Sequence, residues 1–237
     1  MRVQEGKGIV DLREHVLGAF VAGIVCAHCN NGWMSNLEGQ VKPILVRLID
    51  DKKELETLSD DERFTLARWT LKTAAVLNRS STYGNPSVEN SRPVPDEHLL
   101  TVAAGNIPTD VLVVGAGYDS KKTFDFLQYT LWKFPAASIQ LSAEDCERSY
   151  KIALSFRDLV LIAAYYPSPA YAYILNPKHY VRLWTGSRKV SMNDFLMNVS
   201  PAKSWSPILE GLLRNIMVAS NTWLTLVENV ATTRLIV

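Results

Sequence analysis

A chain of 237 residues, 47% hydrophobic and 21% charged, has enough apolar material to exclude a disordered tail. At this length folding buries about 70% of the surface that the unfolded chain exposes. The formal net charge of +1 excludes the global basic excess of a duplex-binding domain, leaving only a local patch open.

The opening "MRVQEGKGIVDLREHV" carries charges where a leader peptide needs an apolar core. The apolar run 16–26 falls far short of the ~20 residues of a membrane span. Three cysteines, Cys26, Cys29 and Cys146, do not make a disulfide framework. A soluble cytoplasmic protein with no membrane partner is therefore expected. Residues 16–25 read as a strand or short hairpin leading into the first cysteine pair. Asn30 or Asn31 is expected to cap a helix whose apolar stripe is Trp33, Leu37, Val41, Ile44, Leu45 and Leu48. Pro43 lacks an N–H and predicts a kink or restart.

Ser59 and Glu62 form a capping box ahead of "DERFTLARWTLKTAAVLN". Phe64, Ala67, Leu71, Ala74 (or Ala75) and Asn78 mark one face of that helix, and Trp69 and Val76 broaden it. Residues 79–95 read as a loop, and 96–104 as a short helix. The pattern then changes. "DVLVVGAGY", "TFDFLQYTLWKF", "ASIQLS", "YKIALSFRDLVLIAAYY", "AYAYIL" and "YVRLW" are rich in strand-favouring residues. They lie too close together for crossover helices, so the sheet is expected to be largely antiparallel. The tail "SPILEGLLRNIMVASNTWLTLVENVATT" reads as helical. This order predicts an α+β fold: an N-terminal degenerate zinc knuckle with helices, a central sheet and C-terminal helices. The expected organisation is a knuckle and helical module over 1–80 and an α+β body over 96–237.

The stretch with the most specific chemistry is "CAHCNNGWMSNLE", residues 26–38. Two cysteines three apart at a turn present two thiolates to one metal, half of a four-ligand zinc site. The string resembles the C-x-x-C-N-N-G-W-M-x-x-L-E signature of a bacterial HNH endonuclease-like family. "VKPILVRLI", "LARWTLKTAAVL" and "VLVVGAGY" extend the likeness over most of the chain. The resemblance implies a second C-x-x-C pair upstream that shares a structural zinc. It also implies an E-H histidine and a polar knuckle residue beside a catalytic magnesium or similar ion. There the histidine activates water against a phosphodiester. This chain departs from that pattern twice. No cysteine precedes Cys26, and the histidine of "REHV", His15, stands only eleven residues before Cys26. A two-stranded hairpin between histidine and helix is cramped in that span.

Cys26 and Cys29 are accordingly read as a vestigial pair of small buried thiols. Zinc is the open alternative, with His15, His28 or Cys146 as further ligands. His15, Asn30 and Asn31 are the catalytic candidates if the chain cuts. Otherwise His15 is a surface histidine, one Asn is a cap, and Trp33 and Met34 are core. Lys151, Arg157, Lys178, His179, Arg182, Arg188 and Lys189 make the later half locally basic, either a solvated face or a contact patch. "AAYYPSPAYAY" sets Tyr165 beside Tyr166, so one should face outward. Tyr165, Tyr166, Arg182, Arg188 and Lys189 are thus the candidates for partner binding. The function expected is non-catalytic binding of a protein or nucleoprotein partner. A mobile-element-encoded inhibitor of a host nucleic-acid-processing or defence complex, such as CRISPR-Cas, would fit. The alternative is a metal-dependent HNH-type endonuclease with an abbreviated site. Direct nucleic-acid contact and a homodimer that supplies the missing knuckle stay open.

Overall fold

The computed structural model describes residues 2–5, 8–12, 25–51, 53–80, 94–117, 126–129, 144, 148–167, 171–175, 180–187, 190–192 and 216–219. Two strands open it, β1 (Arg2–Glu5) and β2 (Gly8–Leu12). A short helical turn, α1 (Ala27–Cys29), leads through a π-helical turn, Asn30–Met34, into α2 (Ser35–Ile49). The backbone leaves helical values at Gly32 (φ −94°, ψ −111°), which separates the cysteine turn from the helix behind it. α2 then runs unbroken through Pro43, where a kink or restart was expected. Leu37, Val41, Ile44 and Leu48 are buried on both sides of the proline. Their burial against the rest of the core outweighs a local penalty of about 3 kcal/mol.

α3 (Asp60–Ser80) begins where the sequence placed it. Ser59 N–H donates to Glu62 Oε2 at 3.0 Å, and Glu62 N–H donates to Ser59 Oγ at 3.3 Å, closing the capping box. Arg47 of α2 pairs with the same Glu62. Ala67, Leu71, Ala74 and Asn78 are buried, as the periodicity required. Beyond α3, residues 81–93 lie outside the described set, but the flanks are tied together. Asn78 Oδ1 accepts from Val94 N–H at 3.0 Å, Arg79 donates to Val94 O at 2.8 Å, and Arg79 pairs with Asp96. Asp96 opens α4 (Asp96–Ala103).

The remaining strands are β3 (Val111–Gly117), β4 (Phe126–Tyr129), β5 (Tyr150–Phe156), β6 (Leu159–Tyr165), β7 (Tyr171–Leu175), β8 (Val181–Trp184), β9 (Val190–Met192) and β10 (Ile216–Ala219). Seven strands pair in the order β2-β1-β4-β5-β6-β3-β8, and three more in the order β10-β7-β9. Every pairing in the larger sheet is antiparallel except β1 with β4. The fold is α+β, with the largely antiparallel sheet that strand spacing predicted. "YKIALSFRDLVLIAAYY" is two strands, turning at Arg157 and Asp158 with Phe156 opposite Leu159. In the tail, the described residues 216–219 form a strand against Tyr171–Ile174 rather than a helix. "IMVA" is apolar, and its Ile216 and Val218 are β-branched, which suits a strand. The other tail residues are not among those described.

One cluster of buried side chains joins the helices to the sheet. Leu37, Val41 and Ile44 of α2 and Leu66, Leu71 and Ala74 of α3 share it with alternate residues of three strands. Those are Val111 and Val113 of β3, Tyr150, Ile152 and Leu154 of β5, and Leu161, Ala163 and Tyr165 of β6. Val113 and Ile152 flank Ala163 in register, a single row across three strands. The intervening residues Leu112, Val114, Ala153, Val160 and Ile162 are buried as well, so both sheet faces are covered. At Gly115 a Cβ would come within 2.8 Å of Leu55 Cδ1, so the missing side chain lets the 3-10 turn Leu55–Thr57 seat on the sheet. Gly186 (φ +55°) lets Ser187 N–H reach Thr109 O at 2.9 Å.

Among the described residues, no helix is long and apolar enough to cross a membrane.

Candidate functional site

The cysteine turn is built by backbone geometry. Cys26 is extended (φ −65°, ψ 149°), and its carbonyl accepts from Asn30 N–H at 3.0 Å. That fold-back aims Cys29 N–H at Cys26 Sγ, 3.3 Å away. Cys26, not Asn30 or Asn31, is therefore the N-cap of the first turn. The sulfur takes the role usually filled by an oxygen. Asn30 and Asn31 are both exposed, and the Asn30 carboxamide donates to that of Asn31 at 3.5 Å.

The two thiols differ in surroundings. The N–H from Cys29, foremost, and the Cys29 side chain hold the Cys26 thiol below its ordinary value. The neighbouring Cys26 sulfur pushes the Cys29 thiol up, against a smaller opposing effect from the Trp33 indole. Cys26 is exposed and Cys29 half-buried. The expectation of two buried thiols is thus corrected. Among the described residues of this segment the first buried side chain is Met34, which follows the turn. His28, between them, is exposed too.

Trp33 links this turn to the core. Its indole packs on the buried cluster, and the Arg68 guanidinium stands 5.6 Å from the ring centroid. Arg68 in turn donates from Nε and Nη2 to Val102 O, at 3.0 and 2.8 Å. One turn along α3, buried Lys72 donates to Glu38 at 2.7 Å and lies over the Trp69 ring. Trp33 and Met34 are core or its border, as their place in the stripe required.

Among the described residues, the other sequence-nominated side chains do not join this site. His15, Cys146, Lys178, His179, Arg188 and Lys189 lie outside the described residues. Among the described residues, no group of three or more His, Cys, Asp or Glu side chains is arranged to hold a metal. Arg182 is exposed on β8, and Arg157 reaches Asp50 at 2.7 Å from an exposed turn. Tyr165 and Tyr166 are both buried, so neither forms an exposed partner surface. Alternation would have sent one outward, but both faces of β6 are covered. Lys151 is fully buried on β5 rather than part of a solvated basic face, and burial drives its ammonium well below the ordinary value.

Sequence reasoning passed over His98. It is buried on α4, with Nδ1 3.0 Å from Tyr150 Oη, and Tyr165 packs edge-on at 4.6 Å. Nε2 stands 3.6 Å from Asp110. A histidine between apolar positions of a short helix, with tyrosines ending two strands, was the signal available. Compared with protein-family models, curated proteins and solved structures, the chain matches none.

Proposed function

We propose that this chain is a degenerate HNH-like protein that acts by binding, presenting the exposed turn 26–31 to a protein or nucleoprotein partner. One observation carries the reading. Cys26 caps the turn, so the carboxamides of Asn30 and Asn31 are released from capping and stand exposed together. Trp33, Met34 and Leu37 anchor the same segment from behind. A rigid base under adjacent exposed amides suits recognition of backbone and base-edge groups alike. The net charge of +1 favours a protein or nucleoprotein over bare duplex. The biological setting we propose is a mobile-element-encoded inhibitor of a host nucleic-acid-processing or defence complex such as CRISPR-Cas. Two measurements test this together. Supercoiled plasmid is incubated with wild type and His15→Ala in magnesium or manganese. Cross-linked capture from bacterial lysate then compares wild type with the Asn30→Ala/Asn31→Ala variant. The reading expects no His15-dependent nicking and a captured species whose recovery falls at least about tenfold in the double variant. Nicking that vanishes in His15→Ala selects the endonuclease alternative. Equal recovery by both proteins removes the turn as the binding surface.

A further inference from the structure

We infer that Cys26 and Cys29 are a reversible dithiol–disulfide pair, oxidised by a low-molecular-weight disulfide of the glutathione class. The argument is geometric and independent of the binding reading above. Residues three apart on a helical turn carry Cβ atoms about 5–6 Å apart, and a disulfide needs about 3.5–4.5 Å. Here Cys26 is at the extended cap position, and the Cys29 amide lies 3.3 Å from its sulfur. The Cys26 side chain therefore folds back over the turn that carries Cys29, and the two thiols lie within hydrogen-bonding reach of each other. The backbone hydrogen bond from Asn30 to Cys26 O holds that turn. Both sulfurs are reachable from solvent to different degrees, Cys26 exposed and Cys29 half-buried. That asymmetry assigns the order of events.

The Cys26 thiolate attacks one sulfur of oxidised glutathione. A Cys26–glutathione bond forms, the glutathione S–S bond breaks, and one glutathione leaves as thiolate to take up a proton. Cys29, its thiol proton passing to solvent, then attacks Cys26 Sγ. This closes the Cys26–Cys29 bond and releases the second glutathione. The protein loses two electrons and two protons, and one glutathione disulfide becomes two thiols. Any excess of reduced glutathione runs the sequence backwards.

The test uses the full chain, treated with chelator and equilibrated across glutathione redox ratios. It is then quenched with acid and N-ethylmaleimide and mapped by peptide mass. The pair predicts that Cys26 and Cys29 lose alkylation together, as one internal disulfide. Cys29→Ser should stop at a glutathione adduct on Cys26. Cys26→Ser should acquire its adduct on Cys29 about tenfold more slowly. A lasting single adduct in wild type, bonding to Cys146 or between chains, or equal adduct rates in the two variants overturns the inference.

Discussion

The Arg68 guanidinium lies 5.6 Å from the Trp33 ring centroid while two of its nitrogens donate to the carbonyl of Val102. One side chain of α3 thus fixes the segment behind the cysteine turn and the end of α4 together. Arg68→Ala should cost about 2 kcal/mol, combining a half-desolvated cation–π contact with charged hydrogen bonds. Arg68→Lys keeps the charge but not the fork and should recover only part of that. Urea melts check the order, and an Arg68→Ala protein within about 0.5 kcal/mol of wild type contradicts it.

Ser59→Ala should destabilise by about 1 kcal/mol, the ordinary cost of losing a cap. Glu62 adds a pH signature. The Ser59 amide, then Arg47, hold its carboxyl below the usual carboxylate range. A folded value below the unfolded one means stability that is fully present above about pH 4.3 and lost as pH falls through the folded value. Glu62→Gln should flatten that part of the acid limb. Denaturant midpoints from neutral to acid pH read it directly, and parallel curves for the two proteins would refute the assignment.

Gly115→Ala places a methyl 2.8 Å from Leu55 Cδ1, with Leu161 at 3.4 Å behind it. Overpacking of this kind costs about 1–3 kcal/mol. Leu55→Ala removes the obstructing atoms at its own cavity cost. The pair should therefore be non-additive, the double variant losing at least about 0.5 kcal/mol less than the sum. Strict additivity in the double-mutant cycle would mean that the turn moves aside freely.

Lys151 predicts a different pH dependence. Its ammonium is held well below the ordinary value by burial, so the unfolded chain binds the extra proton. Stability from this group is fully present above about pH 10.4 and falls as pH drops toward the folded value. Lys151→Met should remove that slope. The stability difference between pH 7 and pH 10, measured for both proteins, should be smaller in the variant.

Short-range chemistry was legible in the sequence, and coverage was not. The Ser59–Glu62 box needs only four residues and appears as read. The stripe of α2 and the face of α3 follow from period alone. The cap moved from Asn to Cys26 because a sulfur at that position also accepts an N–H, which residue ranking does not anticipate. Pro43 stays within the helix because the residues around it are buried, a tertiary fact. One of Tyr165 and Tyr166, and Lys151 as well, were expected outside, and all three are inside for one reason. Alternation distinguishes the two faces of a strand but cannot reveal that both are covered. The alternation Lys151, Ala153, Ser155 did mark a shared face of small and polar residues, and that face is the second buried one.

The larger sheet closes one seam over a great distance along the chain. Arg2 and Val3 of β1 lie in parallel register with Leu127 and Gln128 of β4, whereas β5 and β6 meet across a two-residue turn. Such unequal loop lengths set an order of assembly. The β5–β6 hairpin closes early and cheaply, and the N-terminal hairpin waits until β4 has an ordered edge to offer. The same order governs opening. Under native conditions amide hydrogens of β1 and β2 should exchange through a low-energy local release, and those of β5 and β6 only with global unfolding. The N-terminal hairpin is then the last piece to join the sheet and the first to leave it.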